Sequence, residues 1–160
     1  MRRIIAILGT LLAVAVLISG PVFAATWHYG VSVESYYNCT NPNEILGAPD
    51  DKYCSLGTSA EDLGEIIINL SYSGAMGRKQ VFWVFAQSAY QEPYNVYIST
   101  RPDFADSVDL GLGYDDADQY FETPDEATIG WRYIQLVGVD GVSDPDPVYG
   151  PDIDAVGWFG

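Results

Sequence analysis

The sequence predicts an all-β fold, an antiparallel β-sandwich of seven or eight short strands. Three observations carry that expectation. Apolar residues recur with a period near two rather than 3.6. Gly, Pro and Asp clusters interrupt the apolar segments at short intervals, as at Ser73-Gly74, Arg101-Pro102-Asp103 and Asp144-Pro145-Asp146-Pro147. Two acidic, Pro-turned motifs, Leu46-Gly47-Ala48-Pro49-Asp50-Asp51 and Gly150-Pro151-Asp152-Ile153-Asp154, stand near opposite ends of the domain. Closure of a sandwich would bring them together.

The chain opens with Met1-Arg2-Arg3, an apolar run from Ile4 to Ile18, and the small-x-small exit Val22-Phe23-Ala24. This reads as a secretory signal peptide over residues 1–24, since the run is shorter than the roughly 20 residues that span a bilayer. Residues 25–160 then form a single domain, which keeps no membrane attachment after cleavage. Its five basic residues, Lys52, Arg78, Lys79, Arg101 and Arg132, face 22 acids, a formal charge of −17. That sign repels phosphate backbones and anionic membranes, so nucleic acid is excluded as a partner.

Strand signals follow in order. Residues 27–35 and 107–114 are weak candidates. Residues 65–72 alternate, with Ile66, Ile68 and Leu70 on one face and Ile67 breaking the pattern. Residues 79–87 hold Val81-Phe82-Trp83-Val84-Phe85-Ala86, apolar on both faces, which suits a central strand. Residues 95–100 and 131–139 alternate through Val96, Ile98, Ile134 and Leu136, and residues 152–159 form the last strand. The predicted core is Ile66, Ile68, Leu70, Trp83, Phe85, Ile98, Ile134 and Leu136. Asp154 shares a strand face with Val156 and Trp158, so its carboxylate must be hydrogen-bonded or bind a cation to offset desolvation.

Cys39 and Cys54 are the only cysteines. In an oxidising compartment they pair either within the chain, closing a loop of about 15 residues worth roughly 3 kcal/mol, or between subunits. His28, beside Trp27, is read as a strand residue. Asn38-Cys39-Thr40 and Asn69-Leu70-Ser71 match the N-glycosylation pattern. Catalysis finds no support: no Ser/His/Asp set or HExxH helix occurs, and Gly111-Leu112-Gly113 lacks the rest of a dinucleotide loop. The acidic pairs Asp115-Asp116 and Asp125-Glu126 read as solvated loops. The chain is read as a non-enzyme.

The motifs Leu46-Gly47-Ala48-Pro49-Asp50 with Ser55-Leu56-Gly57, Gly64 to Leu70, Val96-Tyr97-Ile98-Ser99, Arg132 to Leu136 and Pro151 to Val156 follow in an order that resembles the galactose-binding-like (discoidin-type) domain of secreted and surface proteins. The resemblance implies a jelly roll of about eight strands, often with a structural calcium where the first and last strands meet. Calcium takes six to eight hard oxygens. Its candidate ligands are Asp50, Asp51, Asp152 and Asp154, with Asp144 and Asp146 in reserve.

Two functional classes remain. Twelve tyrosines and four tryptophans exceed the needs of a small core, and aromatics concentrate at protein contacts. With two lysines in the chain, strand edges lack their usual charge protection. In layout and composition the chain is similar to archaeal surface-layer, filament and sheath subunits. The leading expectation is therefore a secreted structural protein that self-assembles at the cell surface. The alternative is a calcium-stabilised carbohydrate-binding or adhesive module, with cell-surface polysaccharide as partner.

Overall fold

The computed structural model describes residues 25–59, 62–70, 76–86, 88–125, 130–139 and 150–160. The signal peptide read over residues 1–24, and Asp144 and Asp146, lie outside the described residues. In chain order the strands are β1 (Trp27–Tyr29), β2 (Ser32–Tyr37), β3 (Cys39–Thr40), β4 (Cys54–Leu56), β5 (Thr58–Ser59), β6 (Asp62–Leu63), β7 (Glu65–Asn69), β8 (Val81–Ala86), β9 (Pro93–Ser99), β10 (Val108–Tyr114), β11 (Gln119–Glu122), β12 (Tyr133–Gly138) and β13 (Asp152–Phe159). A 3-10 turn at Pro42–Ile45 is the helical element among the described residues.

The strands build an antiparallel jelly-roll sandwich. Sheet A runs β11-β8-β13-β4-β3, with β1 also paired to β13. Sheet B runs β10-β9-β12-β7-β2. The chain passes from one sheet to the other at Gly30, whose N–H donates to Val156 at 2.9 Å while the next residue, Val31, donates to Asn69 at 2.8 Å. A side chain at Gly30 would meet Ile68 Cγ2 at 2.8 Å, so the crossing needs glycine.

Sheet B supplies two inward rows, Ile66–Leu136–Val96 and Ile68–Ile134–Ile98, each aligned across three strands. Sheet A answers with Leu56, Phe82, Val84, Ile153 and Val156, all without exposure. Each such side chain contributes about 1.5–3 kcal/mol by leaving water. Alternation over residues 65–70 set the phase of β7, and Ile66, Ile68 and Leu70 are buried as expected.

Trp83 and Phe85 correct the predicted core. Both lie on the outward face of β8, while Phe82, Val84 and Ala86 fill the interior. The segment is apolar at every position, so a period of two has no phase to read there. Pairing with β13 sets it, aligning Phe82 with Trp158 and Val84 with Val156. The strand is internal, between β11 and β13, as the sequence implied. Sequence reading also missed β3, β4 and β11, which are short, and joined β1 to β2, which belong to different sheets.

Candidate functional site

The two acidic motifs meet. A register shift in β13 between Ile153 and Ala155 makes Asp154 a bulge residue, and bulges re-aim side chains. Asp154 is 6% exposed. Its Oδ1 accepts the Asp50 N–H at 3.0 Å and its Oδ2 the Asp51 N–H at 3.1 Å. Asp152 accepts a hydrogen bond from the Ser55 hydroxyl, and its own N–H donates to Asp115 Oδ2 at 3.0 Å. Asp115 also accepts the Glu92 N–H at 2.8 Å. Asp115 thus corrects the solvated-loop expectation: it is buried, and that burial raises its pKa.

Calcium needs oxygens converging on one point, and the described residues present something else. Both Asp154 oxygens already accept backbone N–H groups, so the loop turns its donors, not its carbonyls, toward the carboxylate. Asp50 is engaged by the Lys52 ammonium at 2.7 Å, which holds the Asp50 carboxyl below its ordinary range, and Lys52 also approaches Glu44 at 3.8 Å. Among the described residues no three His, Cys, Asp or Glu side chains group as a metal-holding set. As arranged, the Asp50, Asp152 and Asp154 carboxylates are taken up by protein donors, and the Asp51 N–H is one of those donors. They form a clasp between the loop after the 3-10 turn and the start of β13. A polar cleft of about 470 Å³ opens beside it, between Thr40, Asn41 and Glu44 and the facing Lys52, Tyr53, Ser55 and Asp152.

Cys39 and Cys54 lie on adjacent strands, Cys39 part-buried and Cys54 buried. Of the sequon asparagines, Asn38 donates to the Asp62 carbonyl, and Asn69 donates to Glu34 Oε1 at 2.9 Å. His28 is a strand residue whose ring stacks on Trp158 at 4.4 Å.

The feature that sequence reading did not assemble is the outward face of sheet A. Strand register aligns Tyr29, Gly157, Trp83 and Tyr120 in one row across β1, β13, β8 and β11. Trp27 and Phe159 pair in the same way toward one side of the row, and Phe85 aligns with Ala155 toward the other. Ring contacts are continuous: Tyr120 to Trp83 at 5.5 Å, Trp83 to Phe85 at 6.5 Å, Phe85 to Trp27 at 5.4 Å and Trp27 to Phe159 at 5.5 Å. Trp27 and Tyr29 are nearly parallel, 13° apart. Gly157 and Ala155 keep the floor between the rings low. Tyr120 is 66% exposed, Phe159 51% and Trp27 40%. Four adjacent strands make this row about 14 Å wide.

No protein-family model and no curated protein matches the chain. Among solved structures it is similar to CBM29_1, a family 29 carbohydrate binding module from Piromyces equi, at 11% identity and a TM-score of 0.48, covering 85% of this chain and 91% of that one. It is also similar to CBM35 from Cellvibrio japonicus Abf62, at 12% identity and a TM-score of 0.36, covering 84% and 91% respectively.

Proposed function

We propose that this protein is a secreted, non-catalytic module that binds a neutral polysaccharide across the outward face of sheet A. The observation that carries the reading is the aromatic row Tyr29–Trp83–Tyr120, flanked by Trp27, Phe85 and Phe159. A pyranose with equatorial hydroxyls presents a face of C–H groups, and these rest favourably on the electron-rich face of an aromatic ring. Successive rings across four strands suit an extended chain of such sugars. Glu122 stands on the same face of β11 as Tyr120, where its carboxylate can accept hydroxyl hydrogen bonds. A chain with formal charge −15 repels carboxylated or sulfated glycans, which selects uncharged ones.

Depletion onto cellulose, chitin and mannan, with polygalacturonate as the acidic control, tests the reading. Retention is expected on at least one neutral polymer and none on the acidic one. The double variant Trp83→Ala/Tyr120→Ala should lose retention while its melting remains cooperative. The same aromatic face is the surface through which a self-assembling subunit would associate. Sedimentation therefore separates the two readings. A wild type that ignores every neutral polymer but oligomerises, and becomes monomeric when Trp83 and Tyr120 are removed, would overturn carbohydrate binding in favour of assembly.

A further inference from the structure

The two cysteines are placed for each other. In the β3–β4 ladder Cys39 stands opposite Leu56, and Cys54 is two residues before Leu56 on the same strand face. Cys39 and Cys54 are thus diagonal neighbours on one face of a two-strand ladder. Cys54 has no exposure, and Cys39 is part-buried, with its sulfur 3.2 Å from the Tyr37 carbonyl and 3.1 Å from that of Glu65. A buried Cys54 is beyond the reach of a second chain unless the edge of sheet A opens.

We infer that Cys39 and Cys54 form a disulfide within the chain, and that neither staples subunits together. The reaction is thiol–disulfide exchange with a small disulfide such as oxidised glutathione. The Cys39 thiolate attacks a sulfur of the donor, releasing one reduced thiol and leaving a mixed disulfide. The Cys54 thiol then loses its proton and displaces the second donor thiol, joining the two protein sulfurs. The protein gives up two electrons and two protons, and the donor is reduced to two thiols. Cys39 is the fitting attacker, because it is the one of the two that solvent reaches, while Cys54 has no exposure.

The bond would close the segment that carries the 3-10 turn, Asp50, Asp51 and Lys52, so it would hold the loop side of the Asp154 clasp. It stands independently of the carbohydrate reading.

The test uses the full secreted chain equilibrated with oxidised glutathione, alkylated without reductant and mapped by mass spectrometry. A single peptide pair joined through Cys39 and Cys54, lighter by two hydrogens than the free thiols, is the expected result, with the protein running as a monomer on a non-reducing gel. Reductant should lower Tm by about 10 °C. Cys39→Ser and Cys54→Ser should each melt where the reduced wild type melts. Should either variant fail to fold, the reductant titration of the wild type carries the same comparison. Two alkylated thiols after oxidation, or covalent dimers lost in Cys39→Ser, would overturn the inference.

Discussion

The two outward faces of this sandwich obey the same strand alternation and present opposite chemistry. On sheet A the row Tyr29–Gly157–Trp83–Tyr120 is aromatic or small throughout. On sheet B the corresponding row Ser35–Ile67–Gln135–Tyr97–Asp109 is mixed and mostly polar. Ile67 is its one buried apolar member. Two sheets can bury similar inner faces and still leave one face matched to water and the other to a partner. Exposed apolar clusters are the informative exception on a soluble surface. On the proposed reading the difference separates stability from binding, and adjacent residues of one strand make the separation testable.

Phe82 and Trp83 are that pair. Phe82→Ala should cost about 3–5 kcal/mol of folding stability, because it empties a closed interior position. Trp83→Ala should cost far less stability, yet weaken polysaccharide binding by about 2 kcal/mol, more than tenfold in Kd. Chemical denaturation and depletion isotherms on the two variants check both statements. On sheet B, Tyr97→Ala should leave Kd unchanged; a comparable loss of binding there would erase the contrast between the faces.

Within β13 the comparison runs between the bulge and the floor of the aromatic face. Asp154→Ala strips the acceptor from two N–H groups and should lower stability by about 1–3 kcal/mol without altering Kd. Thermal melting in millimolar calcium and then in chelator should leave wild-type Tm in place, while an upward shift with calcium would restore the metal to the clasp. Gly157→Ala acts on the other end. Its new methyl would meet Tyr29 Cδ1 at 2.6 Å and push that ring off the row. Binding should weaken severalfold, with stability falling by less than in Asp154→Ala.

The smallest expected effect is on pH. Burial raises the folded-state pKa of Asp115 above its unfolded value. The folded chain therefore binds this proton more tightly than the unfolded chain. Stability withheld at neutral pH should return as pH falls through the raised pKa toward the ordinary carboxylate range. Asp106 runs the other way: hydrogen bonds from Ser99 and Thr100 lower its pKa, so its contribution is lost in more acid solution. Denaturation midpoints across this range should show a weaker gain on acidification in Asp115→Asn than in the wild type.

Much of the fold was legible because alternation is local. Strands β7, β9, β12 and β13 could be read from side chains two residues apart, and the polar–apolar contrast within β7 fixed its inward face. Trp83 and Phe85 were misplaced for the converse reason, since a strand apolar on both faces carries no internal phase. The meeting of Asp154 with Asp50 and Asp51 followed from the order of motifs, but the bulge that aims Asp154 is a register event between strands. The aromatic face was hidden most completely. Its members come from four segments spread between Trp27 and Phe159, and only the order β11-β8-β13-β1 makes them neighbours. The surplus of tyrosine and tryptophan was its signal, along with the two-residue spacings Trp27/Tyr29 and Trp83/Phe85 and the small Ala155 and Gly157.

Strand β13 also sets a schedule. It lies in the middle of sheet A, against β8 on one side and β4 and β1 on the other, so residues 27–29 wait for partners more than a hundred positions downstream. During synthesis β7, β9 and β12 can pair as soon as they emerge, and sheet B can assemble while sheet A still has a gap at its centre. Until residue 159 has been made, the edges of β1 and β8 that pair with β13 stay open together. Pairings so distant in sequence close slowly, and apolar strand edges left open in the interval invite aggregation. The nascent chain would therefore gain from a holding factor, and its folding yield should depend on how quickly the final strand is delivered.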